Sequence, residues 1–434
     1  MKINQFNQQL LTFLAAAPTP FHAVHCMTEI LRKHGFVQLN ASDPWTIKEN
    51  QKYFVTKNDS SIIAFHSGNH RLAQHGIRMV GAHTDSPCLK VKPHPTVIKN
   101  HYLQLGVETY GGALLHPWFD RDLSIAGRVT YRSKNNELKN TLLNFEQPIA
   151  VIPSLAIHLD RTANEQHTIN GQTDLPPILM QVNSGEKITF DELLIDHLSN
   201  SKENIEIKKI LDFDLSFYDT QAPAIIGLKQ EFIASARLDN LLSCYVGLMA
   251  LVNTNSPYPC LLVCNDHEEV GSQSAAGAQG PLLRSFIERI TQSSENYNRT
   301  ITNSFMISAD NAHGVHPNFA DKHDPHHGPL LNHGPVIKVN ANQRYATNSL
   351  SSAIFYHLAE LTHNPVQSFV MRNDMRCGST IGPITATEIG VNTLDVGVPT
   401  FAMHSIRELA GQQDAYTLYN ILLAYNTFEA FNIA

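Results

Sequence analysis

Apolar positions at the start of the chain recur at helical spacing, with Phe6, Leu10, Phe13 and Leu14 on one face of a helix that Pro18-Thr19-Pro20 ends. A second strong helical signal comes from Leu241, Leu242, Val246, Met249 and Leu251-Val252, behind Asp239-Asn240, a pair suited to capping it. Between these two the texture changes. From about residue 95 to 233 the apolar runs are short and strand-like (102–107, 126–131, 149–152) and are separated by polar loops, including the Asn/Gln/Thr-rich stretch 162–173. Beyond residue 234, strand-like runs at 261–263, 304–307, 391–396 and 400–403 alternate with helical segments. This order predicts an α/β domain built from residues 1–94 and 234–434, interrupted by a β-rich domain at 95–233.

Composition narrows the class of partner. At 434 residues the chain is in the range for two domains, and 42% hydrophobic against 16% charged residues describes a soluble globular protein. A net charge of -7, with no Lys/Arg block to reverse it locally, provides no footprint for nucleic acid or an anionic membrane. A small-molecule or peptide partner is expected instead. Residues 10–17 imitate a secretory signal, but the single lysine, the polar Gln/Asn run and the helical spacing ended by Pro18 to Pro20 argue against one, and the protein is expected in the cytoplasm. No apolar run approaches the roughly 18 residues of a membrane span. The six cysteines lack C-x-x-C spacing and read as reduced thiols, with Cys260 and Cys264 packing in the interior rather than ligating metal. The His-rich tract at 323–328 reads as a solvated loop.

The candidate chemistry sits where apolar runs end. Val80-Gly81-Ala82 is followed by His83-Thr84-Asp85, Leu262-Val263-Cys264 by Asn265-Asp266-His267-Glu268-Glu269, Met306-Ile307-Ser308-Ala309 by Asp310, and Phe401-Ala402-Met403 by His404. In an open α/β sheet, sites gather beyond the carboxyl ends of strands, so tips that are scattered in sequence can converge. Asp239, at the start of a helix, is a fifth candidate. Two imidazoles and three carboxylates suit zinc or a pair of divalent ions bridged by one carboxylate. The adjacent Glu268 and Glu269 need such a cation, because like charges this close are costly to bury. Of the two, one would bind metal and the other move protons; residue chemistry alone does not order them.

The chain resembles the M18 metallopeptidases, the aspartyl aminopeptidases, nearly from end to end. The resemblance lies in Pro18-Thr19-Pro20-Phe21-His22-Ala23-Val24, Gly81-Ala82-His83-Thr84-Asp85-Ser86-Pro87, Glu108-Thr109-Tyr110-Gly111-Gly112 and Trp118-Phe119-Asp120-Arg121-Asp122-Leu123. It continues through Ile157-His158-Leu159, Ser308-Ala309-Asp310 with His313 and His316, the run 375–383, and Ala402-Met403-His404-Ser405-Ile406-Arg407-Glu408. Leu115-His116-Pro117 and Ala278-Gln279-Gly280 depart from the family pattern without touching a proposed ligand.

The resemblance implies a mixed-sheet α/β/α zinc-peptidase domain with an inserted β-rich dimerisation domain. By the same resemblance His83 and Asp310 hold one zinc, Glu269 and His404 the other, and Asp239 bridges them, giving two zinc ions per subunit; the ligands also suit manganese or cobalt. Asp85 then orients His83, Glu268 is the general base, and His158 reaches the active site of a neighbouring subunit. His313 and His316 line the pocket, and Lys338 meets the acidic side chain of the substrate. The implied activity is release of N-terminal Asp or Glu from peptides with a free N-terminus, by a homo-oligomer of dimers assembled into a dodecamer. The alternatives are a dinuclear amidohydrolase of other specificity and a non-catalytic metal-bound assembly.

Overall fold

The computed structural model describes residues 1–201, 205–429 and 431. The chain divides into two units, one of residues 1–85, 223–403 and 408–434, the other of residues 86–222 and 404–407.

The first unit is built on a nine-stranded mixed sheet in the order β1 (Val37–Gln38), β2 (Lys52–Lys57), β3 (Ser61–His66), β13 (Cys260–Asn265), β4 (Arg78–His83), β14 (Phe305–Ala309), β18 (Asn392–Gly397), β16 (Val336–Val339), β17 (Gln367–Val370). Its four central strands, β13, β4, β14 and β18, are mutually parallel, so their carboxyl ends point the same way. These strands are buried on both faces, which explains why they read as continuous apolar runs rather than alternating ones. Ala64, Val80, Ala82, Leu262, Ile307 and Leu394 face one core, packed with the helices Ile3–Ala16, Leu238–Val252 and Asp414–Asn426. Ile63, Phe65, Met79, Leu261, Val263 and Met306 face the opposite core, with the helices Leu282–Thr291 and Ile381–Ile389. The strand period of two thus sorts side chains into the two outer layers of an α/β/α sandwich. Phe6, Leu10, Phe13 and Leu14 are buried in the first core, as their helical spacing predicts.

A smaller five-stranded sheet in the same unit runs β11 (Ala224–Ile226), β12 (Phe232–Ser235), β20 (Glu408–Gly411), β19 (Pro399–Phe401), β15 (Ala312–His313).

The second unit is a six-stranded antiparallel sheet in the order β8 (Leu138–Asn144), β7 (Leu123–Ser133), β10 (Ile207–Asp219), β5 (Cys88–Lys99), β6 (Tyr102–Tyr110), β9 (Ile178–Gln181). The helix Phe190–Ser199 buries Phe190, Leu194 and Leu198 in its core and starts from a capping box between Thr189 and Glu192. This unit begins earlier than residue 95 because β5 is already paired with β6 from Cys88. Pro93 and Pro95 disguise that strand in sequence; the ladder accommodates them with a register shift between Val91 and Thr96. At the other end, residues 224–235 leave for the first unit because β12 pairs with β20, far along the chain. The run 149–152 makes only isolated bridges, Leu123 to Ala150 and Val151 to Ile178, rather than a strand.

Cys260 and Cys264 are buried and free, consistent with packing. The tract 323–328 is a loop in which Asp324 accepts from the His326 backbone N–H and lies 2.7 Å from His327 Nδ1. Among the described residues no helix is long and apolar enough to cross a membrane.

Candidate metal centre

The parallel block brings the tips together. Asn265 of β13 is in register with His83 of β4, and Ser308 of β14 with Gly81, so the segments that follow β13, β4 and β14 leave the sheet side by side. From those tips His83, Glu268 and Glu269 offer ligand atoms within 4.8 Å of one another, as do His83, Asp239 and Asp310. His83 is the hub: its Nε2 lies 3.4 Å from Asp239, 3.5 Å from Asp310 and 3.9 Å from Glu268.

Asp239 stands at the start of the helix Leu238–Val252. It and Asn240 have non-helical dihedrals there, joined by a cis peptide bond, and the Asp239 carboxylate belongs to the cluster. Its backbone N–H donates to Glu408 Oε2 at 2.9 Å, and Asn240 Nδ2 donates to the Ala309 carbonyl at 2.9 Å, which ties this segment to β20 and β14. Glu408 was legible only as part of a motif; its hold on Asp239 appears once β20 and the helix meet.

Asp85 organises two tips at once. Its carboxylate oxygens accept the backbone N–H groups of Glu268 and Glu269, each at 3.1 Å, and Oδ1 lies 3.4 Å from His83 Nδ1, which also contacts the Asp85 carbonyl at 3.0 Å. A proton held on Nδ1 leaves Nε2 for a metal.

The electrostatics call for a cation. Burial, together with the charges of Asp310, Asp85 and Asp239, pushes the Glu268 carboxyl up to about 7 despite His83. Burial and Asp239 push Glu269 up as well. Burial alone would lower His83, but hydrogen bonds to Asp239, Asp310 and Asp85 and the charge of Glu268 outweigh it and hold the imidazole protonated well above its usual range. Without an ion, protons compensate this cluster; a divalent ion would do so instead, and the oxygen and imidazole donors suit one.

Lys338, on β16, is buried, its Nζ 3.3 Å from Asp310 Oδ2 and 3.1 Å from the Asn311 carbonyl. His313 is half-buried on β15, its basicity lowered by burial and by Lys338. His316 packs its ring 5.6 Å from Phe401. In the run 375–383, Thr380 caps the helix Ile381–Ile389 and donates to Asp395 at 2.6 Å, so that part of the run is a structural turn.

Within the second unit, His158 is exposed in a loop whose neighbours Leu155, Ile157 and Leu159 are exposed as well. His404, between β19 and β20, goes with this unit, and its Nδ1 lies 3.2 Å from the Gly112 carbonyl. Gly112 permits that approach, since a Cβ there would come within 3.3 Å of the same Nδ1.

Residues 13–428 match the family model for aminopeptidase I zinc metalloproteases (M18). The chain belongs to the M18 family. It is therefore a metalloaminopeptidase, acting on peptide substrates. It is 57% identical over 421 residues to a Pseudomonas syringae pv. syringae protein named "Probable M18 family aminopeptidase 2", covering 97% of this chain and 98% of that one. Among solved structures it is similar to a chain of the Ape4 and Nbr1 complex, with a TM-score of 0.93 at 38% identity over 98% of this chain and 85% of that chain. The S. cerevisiae mApe1 dodecamer gives a TM-score of 0.84 at 28% identity, covering 97% of each chain. These relatives share the mixed central sheet and the antiparallel-sheet domain, the fold class expected from the resemblance.

Proposed function

We propose that this M18 aminopeptidase releases N-terminal Asp and Glu from peptides with a free N-terminus, with Glu268 as general base. The observation that carries the acidic preference is the buried ammonium of Lys338 at the edge of the carboxylate cluster. Asp310 and Asn311 engage two of its three N–H donors. The third is suited to a substrate carboxylate, where a charge-assisted bond in a water-poor pocket discriminates against neutral side chains.

In this reading His83 and Asp310 would hold one zinc ion, Glu269 and His404 a second, with Asp239 shared. The bound ions supply Lewis acidity toward the scissile carbonyl and toward water. Asp85 holds His83 and the Glu268-Glu269 backbone in place through the contacts at 3.0 to 3.4 Å. Glu268, left unligated beside these residues, would take a proton from water and pass it to the leaving amine. His313 and His316 line the substrate pocket. His158 completes the site of a neighbouring subunit; support comes from its exposed loop, where Leu159 is 75% exposed in the isolated chain, as an interface residue would be. On this reading the protein assembles as dimers within a dodecamer and works in the cytoplasm.

The test is turnover of a panel of N-terminal aminoacyl substrates, free and acetylated, with and without chelator. Preference for Asp and Glu, loss with chelator and no cleavage of acetylated peptides are expected. Neutral residues turned over as fast as Asp would refute the role of Lys338 in specificity.

A further inference from the structure

We propose that Lys338 is also a positioning residue that divides Asp310 between two cations, holding Oδ2 so that Oδ1 alone is left for a metal ion, and thereby loosening the grip on that ion. This rests on the reading of Asp310 as a ligand.

The sheet register explains why the lysine is there. Ile337 of β16 is opposite Val396 of β18, and Val396 is opposite Ala309 of β14. One step further, Lys338 stands beside Asp395, while Asp310 emerges from the tip of β14. Asp395 is fully buried and already occupied, accepting from Thr380 Oγ1 and from the Ala346 N–H, each at 2.6 Å. The long lysine side chain therefore reaches past it to Asp310 Oδ2, 3.3 Å away, and the Asn311 carbonyl, with the Tyr345 ring centroid 5.2 Å from Nζ. At 2% exposure an ammonium persists only with such counter-charge.

The other oxygen of Asp310 faces the opposite way, 3.5 Å from His83 Nε2 and inside the cluster of possible ligands. One carboxylate thus serves two positive partners. With Oδ2 committed to the ammonium, Asp310 can bind an ion through one oxygen but not two. An ion at Oδ1 and the ammonium at Oδ2 also repel each other across a single carboxyl group, in surroundings where screening is weak. Both effects weaken binding. Both also leave the ion less neutralised by its ligands, which is what polarisation of a carbonyl or water needs.

Full-length Lys338→Met and Lys338→Arg variants test this. Zinc affinity is read by competition with a chromophoric chelator, and kcat and KM are read separately on an N-terminal Asp peptide. Lys338→Met is expected to bind zinc about tenfold more tightly or better, and at saturating zinc to lose kcat as well as to raise KM for the Asp peptide, whose side chain it no longer meets. Lys338→Arg, which keeps the charge, should stay within about threefold of the parent in zinc affinity. Unchanged or weaker zinc binding in Lys338→Met would overturn the proposal, including the case where only the preference for Asp is lost. If the methionine variant does not fold, Lys338→Gln removes the charge while keeping a donor, and is read the same way. Asp310→Asn in the same titration probes the underlying assignment: retention of the full zinc stoichiometry would refute Asp310 as a ligand, whatever Lys338 does.

Discussion

Replacing Asp85 by Asn exchanges one carboxylate oxygen for an NH2 group and should disturb two elements. The carboxylate now accepts from the backbone N–H groups of Glu268 and Glu269, one on each oxygen at 3.1 Å, and faces His83 Nδ1 at 3.4 Å. An asparagine has one acceptor oxygen, so one N–H is lost and the amide NH2 is turned toward a donor. A hydrogen bond to a charged group is worth about 1.5 to 3 kcal/mol, so losing one and weakening the other removes about 3 kcal/mol of support for the segment carrying both glutamates. Expressed as metal affinity, that is roughly 100-fold, at the upper end for partners that orient ligands. The metal-free protein should respond differently, because Asp85 is one of the charges pushing the carboxyls of Glu268 and Glu269 up. Removing it relieves repulsion and offsets part of the loss. Chelator competition, turnover at saturating zinc and thermal unfolding with and without metal separate the effects. The expected signature is weak metal binding, low turnover and a near-normal melting temperature without metal. A variant that binds zinc within about threefold of the parent and keeps its turnover refutes the reasoning.

Glu268→Gln should retain metal and lose turnover, by about 100-fold or more for a general base, whereas Glu269→Gln should lower metal content itself; elemental analysis alongside kinetics tells the two apart. Because His83 and Glu269 are held protonated above their usual ranges in the absence of an ion, zinc binding at pH 7 should release protons and weaken as pH falls, which calorimetry in buffers of different ionisation enthalpy measures. Burial, with the nearby charges of His25 and Arg237, lowers His22 to about 4 from an ordinary 6.5. The unfolded chain takes up that proton first as pH falls, so the stability contribution is complete above pH 6.5 and lost between there and pH 4. It amounts to about 3 kcal/mol. Denaturant unfolding of His22→Gln should show a shallower acid limb in that window, and an unchanged limb would contradict the assignment.

Much of this centre is written in strand ends. Val80-Gly81-Ala82, Leu262-Val263-Cys264 and Met306-Ile307-Ser308-Ala309 are apolar because β4, β13 and β14 are covered on both faces, and the first polar residues after them can only stand at the edge of the sheet. Asp239 was harder to read, since an aspartate before a helix is an equally good cap; the helix begins with non-helical dihedrals because β20 and β14 hold Asp239 and Asn240 from outside it. The strand Cys88–Lys99 was hidden by two prolines that a break in the ladder absorbs, and the run 149–152 has strand composition but only isolated bridges.

The local pattern of residues by itself determined the apolar strands, the amphipathic first helix and the kinds of donor at each tip, because burial and periodicity act over a few neighbours. Only the tertiary structure decided that β13, β4, β14 and β18 run parallel with their ends in register, that Asp85 serves two glutamates 183 and 184 residues away, and that Lys338 turns to Asp310. Those contacts depend on strand order and register, which are set by packing across the whole sheet and have no short-range signature in sequence.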